Sequence, residues 1–191
     1  MPTPILTTAN QLTILRMALA PVLVVLILWH EFTWAVVVFV VAALTDLFDG
    51  LIARLGHQRT KLGAMLDPVA DKIFVSCCYV VLTWSSGLHA RIPAWLTVTT
   101  LSRDGMILVS VAIVNLTLGR RIFRPSLLGK CSAVVQVLSA GVVVLLNALG
   151  KSAASVLPLF QLTLLLTVAS ALHYVYLASA KRPDEEGEER E

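Results

Sequence analysis

This sequence predicts an all-α protein that crosses a membrane with six helices, and three observations carry that prediction. The chain of 191 residues is 57% hydrophobic and only 14% charged, whereas soluble domains are about 25% charged and 45–50% apolar. Its mean hydropathy is +0.82, and the apolar bias runs along the whole chain rather than through one anchor. At about 20 residues per span, this length holds roughly six spans with short loops and no separate soluble domain.

The first apolar stretch runs over 11–30 and the second over 32–54, followed by 66–86, 92–118, 126–149 and 154–178. Residues 131–150 and 152–180 contain no charged side chain, so the last two spans are unambiguous. Residues 1–8, with Pro2 and Pro4, predict a short interfacial segment, and no basic leader with a small-residue cleavage site precedes the first span. Residues 1–180 are thus expected to form one membrane domain. The polar, acidic 181–191 is expected to be a disordered tail.

Basic residues near the span ends set the orientation. Arg54, Arg59 and Lys61 follow the second span, Arg120, Arg121, Arg124 and Lys130 lie between the fourth and fifth, and Lys181 and Arg182 open the tail. The opposite loops hold only Arg91 and Lys151. Both termini are therefore expected in the cytoplasm, in a bacterial-type inner membrane. Trp34, Trp84, Trp95, Tyr174 and Tyr176 fall near span ends, as an aromatic belt requires. The net charge of +3 is too small and scattered for a nucleic-acid surface. Cys77, Cys78 and Cys131 sit in apolar stretches and are expected to be small core residues.

The acidic residues carry the chemistry. Outside the tail after Pro183 only six remain, and four form one pattern: Asp46-x2-Asp49-Gly50-x2-Ala53-Arg54-x8-Gly63-x3-Asp67-x3-Asp71. Carboxylates at the edge of a hydrocarbon layer are costly and mark functional sites. Asp46 and Asp49, three apart, share one helix face, and Gly50, Ala53 and Arg54 continue it. If helix begins near Gly63, Asp67 and Asp71 share another. A short loop between the two spans is expected to make them an antiparallel pair and to bring four carboxylates together. Such a cluster needs cations, and hard divalent metals with oxygen ligands supply them, typically shared with substrate phosphates. Two metals would clamp a diphosphate. Gly50 and Ala53 leave room for a base or phosphate against the backbone, and Arg54 can pair with phosphate or hold a ligating carboxylate. Asp71, deepest along its span, is the candidate general base for a hydroxyl acceptor.

At these residues the chain resembles the CDP-alcohol phosphatidyltransferase family, whose signature D-x2-D-G-x2-A-R-x8-G-x3-D-x3-D is matched at all eight fixed positions over 26 residues. Asn10-x2-Thr13-x2-Arg16 and Leu66-Asp67-Pro68-Val69-Ala70-Asp71-Lys72 are similar to further family segments. The resemblance implies transfer of a phosphatidyl group from CDP-diacylglycerol to an alcohol, with CMP leaving, among membrane lipids and in a homodimer. It implies two Mg2+ or Mn2+ ions on Asp46, Asp49, Asp67 and Asp71. Asn10, Thr13, Gly50, Ala53, Arg54, Thr60 and Gly63 would surround the CDP-lipid. Arg103, Arg120, Arg124 and Lys130 are candidates for the acceptor phosphate.

Chains of this size resemble phosphatidylglycerophosphate synthases, which makes sn-glycerol 3-phosphate the expected acceptor. Ser102-Arg103-Asp104-Gly105-Met106 and Ala133-Val134-Val135-Gln136 are closer to cardiolipin synthases, which use phosphatidylglycerol. Arg103 and Asp104, about 100° apart on a helix, are expected to pair with other residues. Lys72 either snorkels or counters the acidic cluster. His57 reads as a loop residue and His173 as a structural one. An ion-coupled transporter is the alternative of another class, but such folds show inverted repeats and midplane sites, and no repeat is visible here. A prenyl-diphosphate transferase also clusters aspartates around a metal diphosphate, with different motifs.

Overall fold

A computed structural model describes the backbone of residues 8–55, 63–117 and 127–180, and the side chains of 14–46, 70, 72–110 and 127–176. Six helices follow in order: α1 (Thr8–Leu28), α2 (Phe32–Leu55), α3 (Gly63–Trp84), α4 (Ala94–Thr117), α5 (Leu127–Ala148) and α6 (Leu157–Ala180), the last preceded by a 3-10 turn over Ala153–Val156. No strand occurs among the described residues. Each of the six expected helical stretches is recovered as a helix, with shifted ends. The third begins at Gly63 rather than 66, which meets the condition for Asp67 and Asp71 to share a face. It stops at Trp84, before Gly87 turns the chain at φ +75. The fourth starts only after Pro93, whose carbonyl accepts from Leu96 and Thr97.

The helices form a closed ring. α1 packs on α2 and α3, α3 on α4, α4 on α6, α6 on α5, and α5 on α2, while α3 and α5 also touch across the middle. Among the described residues the larger contacts of α2 and α3 are with α1 and α5, and the expected convergence of the four carboxylates falls on side chains outside the described residues. α2 and α3 approach through the rings of Phe39 and Phe74, with centroids 5.8 Å apart. Phe39 also lies over Gly141 of α5, where an added Cβ would come within 2.7 Å of the ring. Glycine is therefore what lets α5 close against α2.

Polarity is turned inside out relative to a soluble bundle. Leu15, Val22, Val25, Val37, Val98, Val109, Leu165 and Leu172 face outward, where soluble helices are polar. The interior instead carries hydroxyls and amides that bond between helices, as membrane bundles do. Thr83 meets Thr97 at 2.6 Å, Ser139 meets Thr163 at 2.7 Å, and Gln136 of α5 donates to Thr167 of α6. Among the described residues two helices are long and apolar enough to cross a membrane, Leu127–Ala148 and Ala153–Tyr176. The apolar stretches Ile14–Leu28, Phe32–Asp46 and Lys72–Trp84 are shorter. Of the cysteines only Cys78 is a buried core residue. Cys77 is half-buried and Cys131 exposed, because the adjacent Ser132 takes the inward position.

The end of the bundle holding the α1–α2, α3–α4 and α5–α6 links is pinned by side chains. His30 closes α1 at φ 62, with Glu31 N donating to Leu26 O and its own N to Ile27 O, a left-handed cap usually given to glycine. Its ring pairs with the Ser86 carbonyl at 3.2 Å. Asn147 makes four bonds: Oδ1 accepts from His89 N and Ala90 N, and Nδ2 donates to Ala90 O and Val143 O. Asn147→Ala strands buried backbone groups, so we expect a loss of about 2–4 kcal/mol, read as a lower thermal midpoint. Asn147→Asp is expected to destabilise as well, since a carboxylate cannot donate to Ala90 O. Trp29, Trp34, Trp84 and Trp95 are exposed at this same end.

Candidate active site

The described ion pairs lie toward the opposite end. N-termini of α1, α3 and α5 meet C-termini of α2, α4 and α6 there, so residues far apart in sequence face one cavity of about 350 Å³. Its walls are apolar, with Ala42 and Ala43 of α2, Phe74 and Val75 of α3, and Val137 and Leu138 of α5. Its charged lining is Arg16, Asp46, Lys72 and Asp104, with Gln136 beside them. A polar mouth on an apolar slot suits a substrate with an ionic head and a hydrocarbon body.

Two ion-pair systems organise this lining. Arg16 of α1 is buried and reaches Asp46 of α2 at 3.0 Å, while the Asp46 side chain stays 52% exposed. Asp46 is therefore held in orientation yet remains open to the cavity. Asp104 of α4 accepts at Oδ1 from both Lys72 Nζ of α3 and Arg103 Nη1, the latter at 2.6 Å. Arg103 spends its other terminal nitrogen on Ser170 Oγ of α6, also at 2.6 Å. Arg103 and Asp104 do pair with other residues, as expected, through Ser170 and Lys72, but they also bond each other: the long Arg103 side chain folds back on its neighbour inside a buried α4–α6 contact, which favours a local counter-charge.

Of the four aspartates, Asp46 has a described side chain. Asp49 lies on the α2 backbone one turn further, and Asp67 and Asp71 are one turn apart on the α3 backbone. Lys72, next after Asp71, faces the cavity that Asp46 lines. Among the described residues no three His, Cys, Asp or Glu side chains converge. Of the four patterned carboxylates the described one, Asp46, is half-exposed at the cavity, and carboxylate oxygens are the kind of ligand Mg2+ takes.

Asn10 and Thr13 lie on α1, Gly50, Ala53 and Arg54 on α2, and Gly63 opens α3, their side-chain surroundings being outside the described residues. His57, Thr60, Arg120, Arg121, Arg124, residues 1–7 and the tail from 181 also lie outside them. Lys130 is exposed on the first turn of α5, and Arg103 is buried outside the cavity lining. Three residues of the charged lining, Arg16, Lys72 and Asp104, were not among the predicted site residues; Lys72 was read only as snorkelling or countering the acidic cluster. Arg16 stood in the Asn10-x2-Thr13-x2-Arg16 segment, so its signal was present. Asp104 was visible as one of the few intramembrane acids, but its link to Lys72 spans two helices.

The sequence is similar to those of several known proteins. A cardiolipin synthase (CMP-forming) from Homo sapiens is 46% identical over 110 residues, covering 57% of this chain and 35% of the relative. A CDP-diacylglycerol--glycerol-3-phosphate 3-phosphatidyltransferase from Cereibacter sphaeroides is 45% identical over 84 residues, 42% of this chain and 38% of the relative. The chain thus spans little more than a third of the length of these two. A probable phosphatidylglycerophosphate synthase from Mycobacterium tuberculosis is 32% identical over 176 residues, 87% of this chain and 79% of the relative. With the CDP-alcohol phosphatidyltransferase family matching residues 6–176, the chain belongs to that family.

Proposed function

We propose that this protein is a phospholipid-synthesising transferase that moves a phosphatidyl group from CDP-diacylglycerol to a hydroxyl acceptor and releases CMP. One observation carries the reading: Asp46, the first residue of the aspartate pattern, is presented by Arg16 into a cavity with a charged mouth and apolar walls. The acceptor oxygen attacks the phosphatidyl phosphorus, the bond from that phosphorus to the CMP oxygen breaks, and the acceptor proton passes to Asp71. Asp46, Asp49, Asp67 and Asp71 would hold two Mg2+ or Mn2+ ions, which neutralise the diphosphate and the departing CMP. Asn10, Thr13, Gly50, Ala53, Arg54, Thr60 and Gly63 would surround the nucleotide. Arg120, Arg124 and Lys130 remain the acceptor-phosphate candidates, whereas Arg103 is committed to Asp104 and Ser170 outside the cavity lining.

The apolar outer surface and the interhelical hydroxyls support six spanning helices, with the charged end and both termini in the cytoplasm and the tryptophans at the outer interface. A homodimer in a bacterial-type inner membrane completes the reading.

sn-Glycerol 3-phosphate is the first acceptor, in line with the relative that matches most of the chain. Phosphatidylglycerol is the second reading, supported by the likeness of the 102–106 and 133–136 segments to cardiolipin synthases and by the human relative's identity. The deciding experiment is CMP release from CDP-diacylglycerol by purified protein in Mg2+, with each acceptor alone. Turnover with glycerol 3-phosphate establishes the first reading, and turnover only with phosphatidylglycerol establishes the second. No CMP with any alcohol, alongside substrate-coupled ion movement in vesicles, would point to the transporter instead.

A further inference from the structure

The charges around Asp104 do not balance. Arg103 alone neutralises this carboxylate, at 2.6 Å and in a buried contact. Lys72 is a second cation on the same oxygen. Across the cavity, Asp46 already has Arg16. The five described charges therefore sum to one surplus positive charge on the α3–α4 side. Lys72 is also the most open of this trio: its side chain is 27% exposed, against 10% for Asp104 and 7% for Arg103. It lines the cavity, whereas Arg103 does not. An ammonium carries three donors. Asp104 takes one, so the others are available to a ligand at the cavity mouth.

We propose that Lys72 binds a phosphate oxygen of the substrate, and that Asp104 is a positioning residue which holds the Lys72 ammonium at the cavity mouth. Arg103 and Ser170 fix Asp104 in turn, so α6 braces a contact made from α3. This rests on the proposed transferase reading and adds to it a residue outside the aspartate pattern. A tethered ammonium loses less rotamer freedom on binding than a free lysine does. The phosphate belongs either to the CDP-lipid diphosphate or to the acceptor, and kinetics separate the two.

The test uses the full chain with K72M, K72R, D104N and K72M/D104N, and CMP release with each substrate varied in turn. K72M is expected to raise KM for one phosphate-bearing substrate roughly tenfold or more, the usual worth of a charge-assisted hydrogen bond, with a smaller fall in kcat. The substrate whose KM rises identifies the phosphate. K72R is expected to restore much of the loss, D104N to raise the same KM, and the double variant to match K72M, because Asp104 acts through Lys72. Unchanged KM values in K72M with only a lower thermal midpoint would overturn the proposal, as would multiplying effects in the double variant. Wild-type protein that releases no CMP sinks the transferase reading itself. Thermal stabilisation by CDP-diacylglycerol and by glycerol 3-phosphate then still decides Lys72: loss of either shift in K72M upholds the contact, and retention of both overturns it.

Discussion

Asp71→Asn is expected to abolish CMP release, with a fall of at least about 10³-fold, while the protein keeps its helical content and thermal midpoint. Asparagine has nearly the same shape but cannot take the acceptor proton, and general-base catalysis alone contributes roughly 10²–10⁴-fold. The amide is also a poorer metal donor than a carboxylate, so both losses fall on one position. Lys72 follows Asp71 on α3 and pairs with Asp104, so the helix stays anchored in the variant. The measurement is single-turnover CMP release at saturating acceptor. Near-normal turnover in Asp71→Asn would end its assignment as the base, and Asp46, Asp49 and Asp67 would then be tested in the same way.

Removing divalent metal is expected to have an equally large effect. Chelation should stop turnover completely, and added Mg2+ or Mn2+ should restore it. The physical reason is repulsion: two like charges about 4 Å apart cost roughly 4 kcal/mol at an effective dielectric of 20. Four carboxylates around a diphosphate therefore need more counter-charge than the described cations supply, since Arg16 and Arg103 are already committed to Asp46 and Asp104 and Lys72 adds a single charge. Titrating metal back while following CMP gives the number of ions through the steepness of recovery. Activity that survives exhaustive chelation would rule out the two-metal reading.

Much of this site was legible in the sequence because its chemistry is local along the helices. Asp46 and Asp49 share a face by spacing alone, and α3 beginning at Gly63 does the same for Asp67 and Asp71. Arg16 was legible as part of a segment, though not as the partner of Asp46. That pairing arises because α1 packs on both α2 and α3, and such adjacency leaves no local mark. The same limit hid Asn147, which reads as an ordinary polar residue near a helix end yet satisfies three backbone groups of the α3–α4 link and its neighbourhood.

What this sequence determined by itself was the class of the molecule: six apolar helices, a charged end, and a carboxylate pattern whose spacing matches helical periodicity. Composition and period suffice for that, because hydrophobicity and the 3.6-residue turn act within a single segment. What only the tertiary structure decided was which helices are neighbours. It placed α1 and α5 as the main neighbours of both α2 and α3, closed Phe39 against Gly141, and brought Lys72, Arg103, Asp104 and Ser170 from three helices into one network. Contacts between helices depend on shape and on partners for buried polar groups, which become defined only when all six surfaces meet.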